Sequence, residues 1–284
     1  MSLALEYIVR GLITGAMYGL LALPINLLLV TVGTMDFALG AYALIAAAVA
    51  VTIGGVWGIA AGIAAALCAG AVMAIIFISF KKVGLEDTIV VALASFGLSV
   101  AVTSIVLIQW GPVSFVASGI SHVWVMGGIG INPQGLLNVV IGLSILGLLY
   151  AVIYGTDLGR MMRAAALNPS GAELSGIPVT LIQSMVFMVG GLISGIAGVL
   201  LVHSSGVDFT ASLGLSLSAF AAAIVLGVDN PARGFAGGLV IGLAEALAAG
   251  YTTGAVTAMV PFIVVLIALG GGMVGAQRFG SDRP

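Results

Sequence analysis

Apolar residues run along this chain in long blocks separated by short polar gaps. The blocks lie near 11–30, 37–54, 57–80, 88–110, 135–154, 180–202, 212–228, 235–250 and 255–272. A helix that crosses a membrane needs about 17 to 25 predominantly apolar residues, and most blocks reach that length. Sustained apolar–polar alternation, the mark of a transmembrane barrel, is missing from them. The pattern predicts an all-α, polytopic transmembrane helical bundle with about 8–10 membrane segments. Some segments are broken or short: 212–228 and 235–250 fall near the lower limit for a crossing. The longest polar-leaning gaps, 111–134 and 155–179, are too small for a soluble domain, so residues 1–284 read as a single membrane domain.

Composition agrees with the pattern. The chain is 61% hydrophobic and 6% charged, with a mean hydropathy of +1.30, whereas a soluble domain is about one quarter charged. A net charge of −2 leaves no basic surface for nucleic acid. Cys68, the single cysteine, cannot form an internal disulfide and reads as a packed small hydrophobe. The first apolar block overshoots the core of a signal peptide, and Glu6 precedes Arg10, so it reads as a retained membrane segment.

The basic residues set an orientation. If every block crosses, Lys81, Lys82, Arg160, Arg163, Arg233, Arg278 and Arg283 share one side, and Arg10 alone of the eight Lys and Arg does not. Basic loops mark the cytoplasmic face, so the N-terminus is expected outside and the C-terminus inside. A dip and return by residues 31–45 would instead bring Arg10 inside. His122 and His203 fall on the outer side and read as interfacial residues.

Small residues recur at four-residue spacing: Gly11, Gly15 and Gly19; Gly54, Gly58 and Gly62; Gly234, Gly238 and Gly242, continued by Ala246 and Gly250. Lipid tails are as apolar as leucine, so membrane helices associate through close packing of such residues. The ladders therefore mark helix-packing faces.

Two interruptions stand out, one in each half. The first is "TVGTMDFALGAY", residues 31–42, where Asp36 is the only acidic or basic side chain between Gly11 and Phe80. Gly33, Thr34 and Asp36 are poor helix formers. The second is "VLGVDNPARGFAGG", residues 225–238, in which Asp229, Asn230 and Pro231 form a turn signal. Arg233 favours an ordinary turn in water for that stretch. A broken helix at membrane depth survives only when buried in protein or lining a wet cavity, and paired interruptions point to a transporter's path. Thr34, Asp36, Phe37 and Gly40 are accordingly the substrate-path candidates. Asp36 has three readings: a cap for a helix starting near Phe37, an interfacial carboxylate, or a group lining the path. Glu245 either sits near an interface or hydrogen-bonds across the bundle.

The gap "YGTDLGRMMRAAALNPSGAELSGIPVTLIQ", residues 154–183, is the most informative. Asp157, Arg160 and Arg163 lie on one side of a helix expected to extend the fifth segment. Asn168 followed by Pro169 is a cap and a first helical residue. Residues 170–175 then form a short helix that Gly176 stops. Such a helix is unstable alone. Unless it is a plain connection, it packs under the bundle or receives a partner whose push it can pass on.

Three stretches together resemble LivH-type permeases, the membrane subunits of ABC importers for branched-chain amino acids. "GLITGAMYGLLAL" and the interruption after it carry Gly11, Gly15, Tyr18, Leu20, Ala22, Leu23, Phe37, Ala38 and Gly40 of that family's opening pattern. "RAAALNPSGAELSGIPVTLIQSMVFMVGGLISGIAGVLL" is similar to its coupling loop, and "SAFAAAIVLGVDNPARGFAGGLVIGLAEAL" to its third characteristic region. The pattern departs at Asp36, commonly Asn in the family, and at Leu39, commonly His. Both departures bear on the cargo, since broader relatives move urea, amides or other small polar solutes.

The resemblance implies a permease fold with an internal pseudo-repeat in a bacterial inner membrane. It implies a homologous permease subunit as partner, two cytoplasmic ATPases and an extracytoplasmic substrate-binding protein. Residues 155–179 would be the coupling loop, with Arg163, Asn168, Pro169, Ala172, Glu173 and Gly176 as its ATPase-coupling residues. This chain would bind no cofactor or metal, ATP being used by the partners. The phosphate-binding pattern G-x-x-x-x-G-K-[ST] does not occur in the sequence. Two rival classes are an intramembrane enzyme, against which the absence of H-E-x-x-H and of paired aspartate motifs counts, and an uncoupled secondary transporter or channel.

Overall fold

The computed structural model describes residues 2–85, 87–119, 124–126, 129–252 and 254–270. His122, Arg278 and Arg283 lie outside the described residues. The helices are α1 (Ser2–Thr31), α2 (Leu39–Ile53), α3 (Gly55–Val83), α4 (Thr88–Trp110), α5 (Pro133–Gly155), α6 (Asp157–Leu167), α7 (Pro169–Leu174), α8 (Val179–Ser204), α9 (Ala211–Val225), α10 (Pro231–Tyr251) and α11 (Gly254–Gly270). Short strands β1 (Ser114–Phe115) and β4 (Val207–Asp208) pair antiparallel, as do β2 (Trp124–Met126) and β3 (Ile129–Ile131). Each apolar block falls on a helix, which makes the chain a polytopic helical bundle. Among the described residues six helices are long and apolar enough to cross a membrane, while α2, α9 and part of α11 form shorter apolar stretches.

One local code starts three of the helices. Asn132, Asn168 and Asn230 each precede a proline, and each side chain accepts the N–H of the second or third helical residue, freeing that donor from the need for water. The centre of the bundle is α1 and α8. Their apolar windows are 72% buried, against 22–33% for the other long helices.

Lys81 reaches Glu173 and Gln183, Gln183 reaches the Thr31 carbonyl, and Asn26 reaches the Asn230 carbonyl. These bonds place the end of α1, the end of α3, α7, the start of α8 and the start of α10 at one end of the bundle, with Lys81 and Arg233. Arg10 lies at the far end, sharing a cleft with Ser204 and Ser205. After Thr31 the chain turns back, and α2 continues to the far end, where Trp110 donates to the Thr52 hydroxyl at 2.6 Å. The chain therefore does not return to the end it left at Thr31.

The pseudo-repeat is inverted. α1 to α4 correspond to α8 to α11, and α1 and α8 run in opposite directions. α1 packs along α10 as α8 packs along α3; α2 touches α8 as α9 touches α1; α2 and α9 meet each other. The long pairs meet backbone to backbone. A Cβ on Gly15 would sit 2.7 Å from the Gly238 carbonyl oxygen, and one on Gly70 would sit 2.8 Å from that of Phe187.

Residues 226–230 form the ordinary turn that Arg233 favoured, at the basic end, with Asp229 and Arg233 exposed and 3.5 Å apart; the repeat counterpart of the first interruption is 205–210, between α8 and α9. Two expectations need correction. α6 does not extend α5: Thr156 takes extended geometry (φ −116°, ψ 162°), and its hydroxyl accepts from Gly159 N–H to start a new helix. Cys68 is exposed on α3 rather than packed. Its block is apolar on every side, so the pattern did not reveal which face points outward.

Candidate functional site

α1 ends where the amides of Val32 and Gly33 both turn back to the Leu28 carbonyl, at 2.8 and 3.1 Å, with Gly33 at φ 77°. The chain then enters the bundle without helical structure until Leu39. Hydrocarbon cannot satisfy the freed backbone groups, and side chains from three directions do so instead. Phe37 N–H donates to the Ser95 hydroxyl of α4 at 2.9 Å. Ala38 N–H donates to Asp36 Oδ1 at 2.8 Å. Gly40 N–H donates to the Ser216 hydroxyl of α9 at 2.9 Å, and that hydroxyl donates in turn to the Phe37 carbonyl at 2.8 Å. Thr34 and Thr88 tie the turn to the start of α4 through each other's stretch of backbone.

Asp36 is 2% exposed, and its second oxygen accepts from the Tyr42 hydroxyl at 3.2 Å. The cap and interface readings thus give way to a related arrangement: the carboxylate closes the turn just before α2 and fastens it to that helix's first turn. Gly40 is forced by packing, because a Cβ there would overlap the Ser212 carbonyl. Thr34 is buried and Phe37 is half-buried, its ring 5.9 Å from that of Phe220 on α9.

Beside this turn, α4 and α9 border an open groove. Ser95, Ser99 and Thr103 share one face of α4 at four-residue spacing, and Ser212 and Ser216 share one face of α9. The Thr103 and Ser212 hydroxyls are hydrogen-bonded at 2.9 Å. A cavity of about 270 Å³ opens beside them, lined by Phe96, Ser99, Thr103, Leu107, Phe209 and Ser212 among others, with no charged side chain among its described lining residues. Such a groove offers neutral hydrogen-bonding groups interleaved with apolar surface. Sequence reasoning found the turn but missed these hydroxyls. Their four-residue spacing within otherwise apolar helices was the available signal.

At the basic end, α6 and α7 form an elbow under the bundle. The Arg163 guanidinium lies over the Tyr154 ring, 5.2 Å from its centre, and donates to the Ile153 carbonyl. Asn168 ends α6 and caps α7 by accepting from Gly171 N–H at 2.9 Å. Pro169 is the first residue of α7, and Gly176 turns the chain at φ 82°. Ala172 packs with Ala165 and Val179 in a small core of its own. Glu173 contacts Lys81 at 3.4 Å. Leu167 and Leu174 stand out at 87% and 91% exposure; Leu174 is among the residues that carry the resemblance to the family's coupling loop, whereas sequence reasoning did not single out Leu167.

The helix-packing glycines sit where α1 crosses α10. Gly11 faces Gly242 and Ala246, Gly15 faces Gly238, Gly19 faces Phe235, and Gly234 faces Asn26. Near this crossing Glu245 is half-buried, with one carboxylate oxygen, Oε2, buried without a hydrogen-bond partner.

The sequence profile of a family described as "Branched-chain amino acid transport system / permease component" matches residues 7–269. The high-affinity branched-chain amino acid transport system permease protein LivH of Escherichia coli (strain K12) is 25% identical over 295 residues, covering 95% of each chain. The ribose import permease protein RbsC of the same organism is 30% identical over 223 residues, 76% of this chain and 67% of the relative. Among solved structures, a chain of PsaBC from Streptococcus pneumoniae in complex with Fab shares the fold. It has a TM-score of 0.52 at 14% identity, covering 92% of this chain and 90% of that one.

Proposed function

The chain belongs to the permease family of branched-chain amino acid transport systems, and from that premise we propose that it is the membrane-spanning subunit of an ABC importer. In this reading it moves branched-chain or other small amino acids across the inner membrane of a bacterium. The end that carries Lys81, Arg163 and Arg233 faces the cytoplasm, following the bias of basic residues. The N-terminus then lies outside and the C-terminus inside.

Two ATPase subunits dock on α6 and α7, and a homologous permease subunit completes the pore. A substrate-binding protein delivers cargo to the outer end. This chain binds no cofactor, and ATP is consumed by its partners. The observation that carries the docking reading is the pair of exposed leucines, Leu167 and Leu174, on a capped elbow whose inner face is packed. Large apolar side chains left exposed on a packed elbow suit a protein partner.

The test is reconstitution with the ATPases and the binding protein in liposomes. Uptake of radiolabelled L-leucine that requires ATP and the binding protein is the expected result. Equilibration of leucine by this chain alone, without ATP, would overturn the assignment in favour of a channel or secondary transporter.

A second cargo class has its own support. The groove lining is uncharged and mainly apolar, with a few hydroxyls among it, which is compatible with urea, amides or another small neutral polar solute, and RbsC is named for ribose. Suppression of leucine uptake by excess acetamide, urea or ribose would favour that class.

A further inference from the structure

The inverted repeat reaches down to individual hydrogen bonds. In the first half, the Val32 and Gly33 amides both donate to the Leu28 carbonyl; in the second, the Ser205 and Gly206 amides both donate to the Leu201 carbonyl. Gly33 and Gly206 take nearly the same left-handed geometry, φ 77° and 79°. An Asp-Phe pair follows each time: Asp36–Phe37 and Asp208–Phe209. Asp36 Oδ1 accepts from Ala38 N–H two residues on, and Asp208 Oδ1 accepts from Thr210 N–H two residues on. Each turn opens into a helix of 15 residues, α2 or α9.

α4 touches both repeats. Phe37 N–H bonds to Ser95, about two turns from the start of α4, while Ser212 bonds to Thr103, about two turns from its end. Ser95 and Thr103 are about 12 Å apart along the helix. Phe209 lines the groove cavity, and Phe37 lies beneath it, at the level of Ser95.

What differs is their state. Asp36 is buried with both oxygens held inside the bundle, and Phe37 is packed on Phe220. Asp208 is exposed, its second oxygen accepting from the Ser114 hydroxyl of β1 at the surface, 3.0 Å away.

We propose that Phe37 and Phe209 are the inner and outer gates of the cargo compartment, carried on repeat-related Asp-Phe turns that exchange states as the importer cycles. In this structure the carboxylate of the inner turn is buried and that of the outer turn is exposed, while both rings are half-buried. Two halves with one chain geometry have two equivalent ways of differing, and exchanging them turns an outward-facing groove into an inward-facing one. A solute in the groove lies against Phe209 and Thr103. This inference rests on the groove being the path of the importer proposed above.

The experiment uses the assembled importer in membrane vesicles. Cys68→Ser removes the native thiol, and single cysteines replace Phe37 or Phe209. A membrane-impermeant maleimide is applied from each side, with the ATPases either nucleotide-free or trapped with ADP and vanadate. In one nucleotide state Phe209→Cys should react from outside at least tenfold faster than Phe37→Cys from inside, and in the other state that order should reverse. Rates that rise or fall together, or that ignore the nucleotide, would overturn the proposal. Met35→Cys and Thr210→Cys, beside the rings, carry the same test if a ring substitution prevents folding.

Leucine uptake in the same vesicles separates the two readings. ATP-driven uptake without the exchange of labelling removes the gates and leaves the importer. Inserted, ATPase-associated protein with neither uptake nor any nucleotide response removes both. Exchange of labelling without leucine uptake supports the gates and moves the cargo to another solute.

Discussion

The Gly40 amide and the Ser216 hydroxyl meet at 2.9 Å across 176 residues of sequence, and the same hydroxyl returns a bond to the Phe37 carbonyl. One side chain of α9 therefore satisfies both a donor and an acceptor at the broken start of α2. Ser216→Ala leaves both unpaired in a buried site. A loss of about 1–3 kcal/mol in stability is expected, seen as a lower melting temperature in detergent. Ser144→Ala is the control. Its hydroxyl is exposed and bonds only to the Val140 carbonyl of its own helix, so the melting temperature should hardly move.

Asp36 separates a structural carboxylate from a cargo ligand. In Asp36→Asn, the amide oxygen can still accept from Ala38 N–H, and the amide nitrogen can donate to Tyr42. The variant should keep its fold to within about 1 kcal/mol and retain leucine uptake. Asp36→Ala strands Ala38 N–H and the Tyr42 hydroxyl, and should lower both stability and uptake. A strong rise in KM for Asp36→Asn with unchanged melting would instead assign the charge to cargo binding.

The crossing of α1 and α10 tolerates no side chain. A Cβ on Gly238 would run into the Gly19 backbone, and overpacking of this kind costs about 1–3 kcal/mol or more. Gly238→Ala should reduce the yield of monodisperse protein on size exclusion. Gly147→Ala, where a Cβ meets open space, should behave as the parent.

The elbow predicts a split between ATP hydrolysis and transport. Leu174→Asp removes an exposed apolar contact without touching the bundle, so membrane insertion should persist while ATPase association weakens. Asn168→Ala removes the α7 cap, a loss of about 1 kcal/mol, and should lower uptake per ATP hydrolysed. Normal association and uptake in Leu174→Asp would mean that the ATPases dock elsewhere.

Asp208 gives the outer turn a defined response to acid. The Thr210 N–H and the Ser114 hydroxyl hold its carboxyl below the usual range. A group whose pKa is lowered by folding contributes above its unfolded pKa of about 3.9 and loses that contribution as the pH falls through the folded value. Exchange protection of the Thr210 amide, corrected for intrinsic rate, should therefore stay constant from about pH 5 to 8 and fall only in stronger acid. Asp208→Asn retains an acceptor and should keep the turn, whereas Asp208→Ala should lose it.

What the sequence determined by itself is what local bonding and composition decide. Apolar blocks became helices because a helix satisfies its own backbone in lipid. Asn168–Pro169 started α7, and Gly176 ended the turn after it, because those bonds close within a few residues. The four-residue spacing put Gly15 with Gly19, and Gly238 with Gly242, on single faces. Tertiary structure decided everything that depends on a partner far along the chain. Ser95 and Ser216 found Phe37 and Gly40 across 58 and 176 residues. The true counterpart of residues 31–40 was 205–210 and not the louder turn signal at 229–231, since residue chemistry marks a turn but not its depth or its symmetry mate. Asp36 and Asp208 close the same local turn, yet one is buried and the other faces water. Only the packing of α4 and α9 around the first, and of β1 against the second, set them apart.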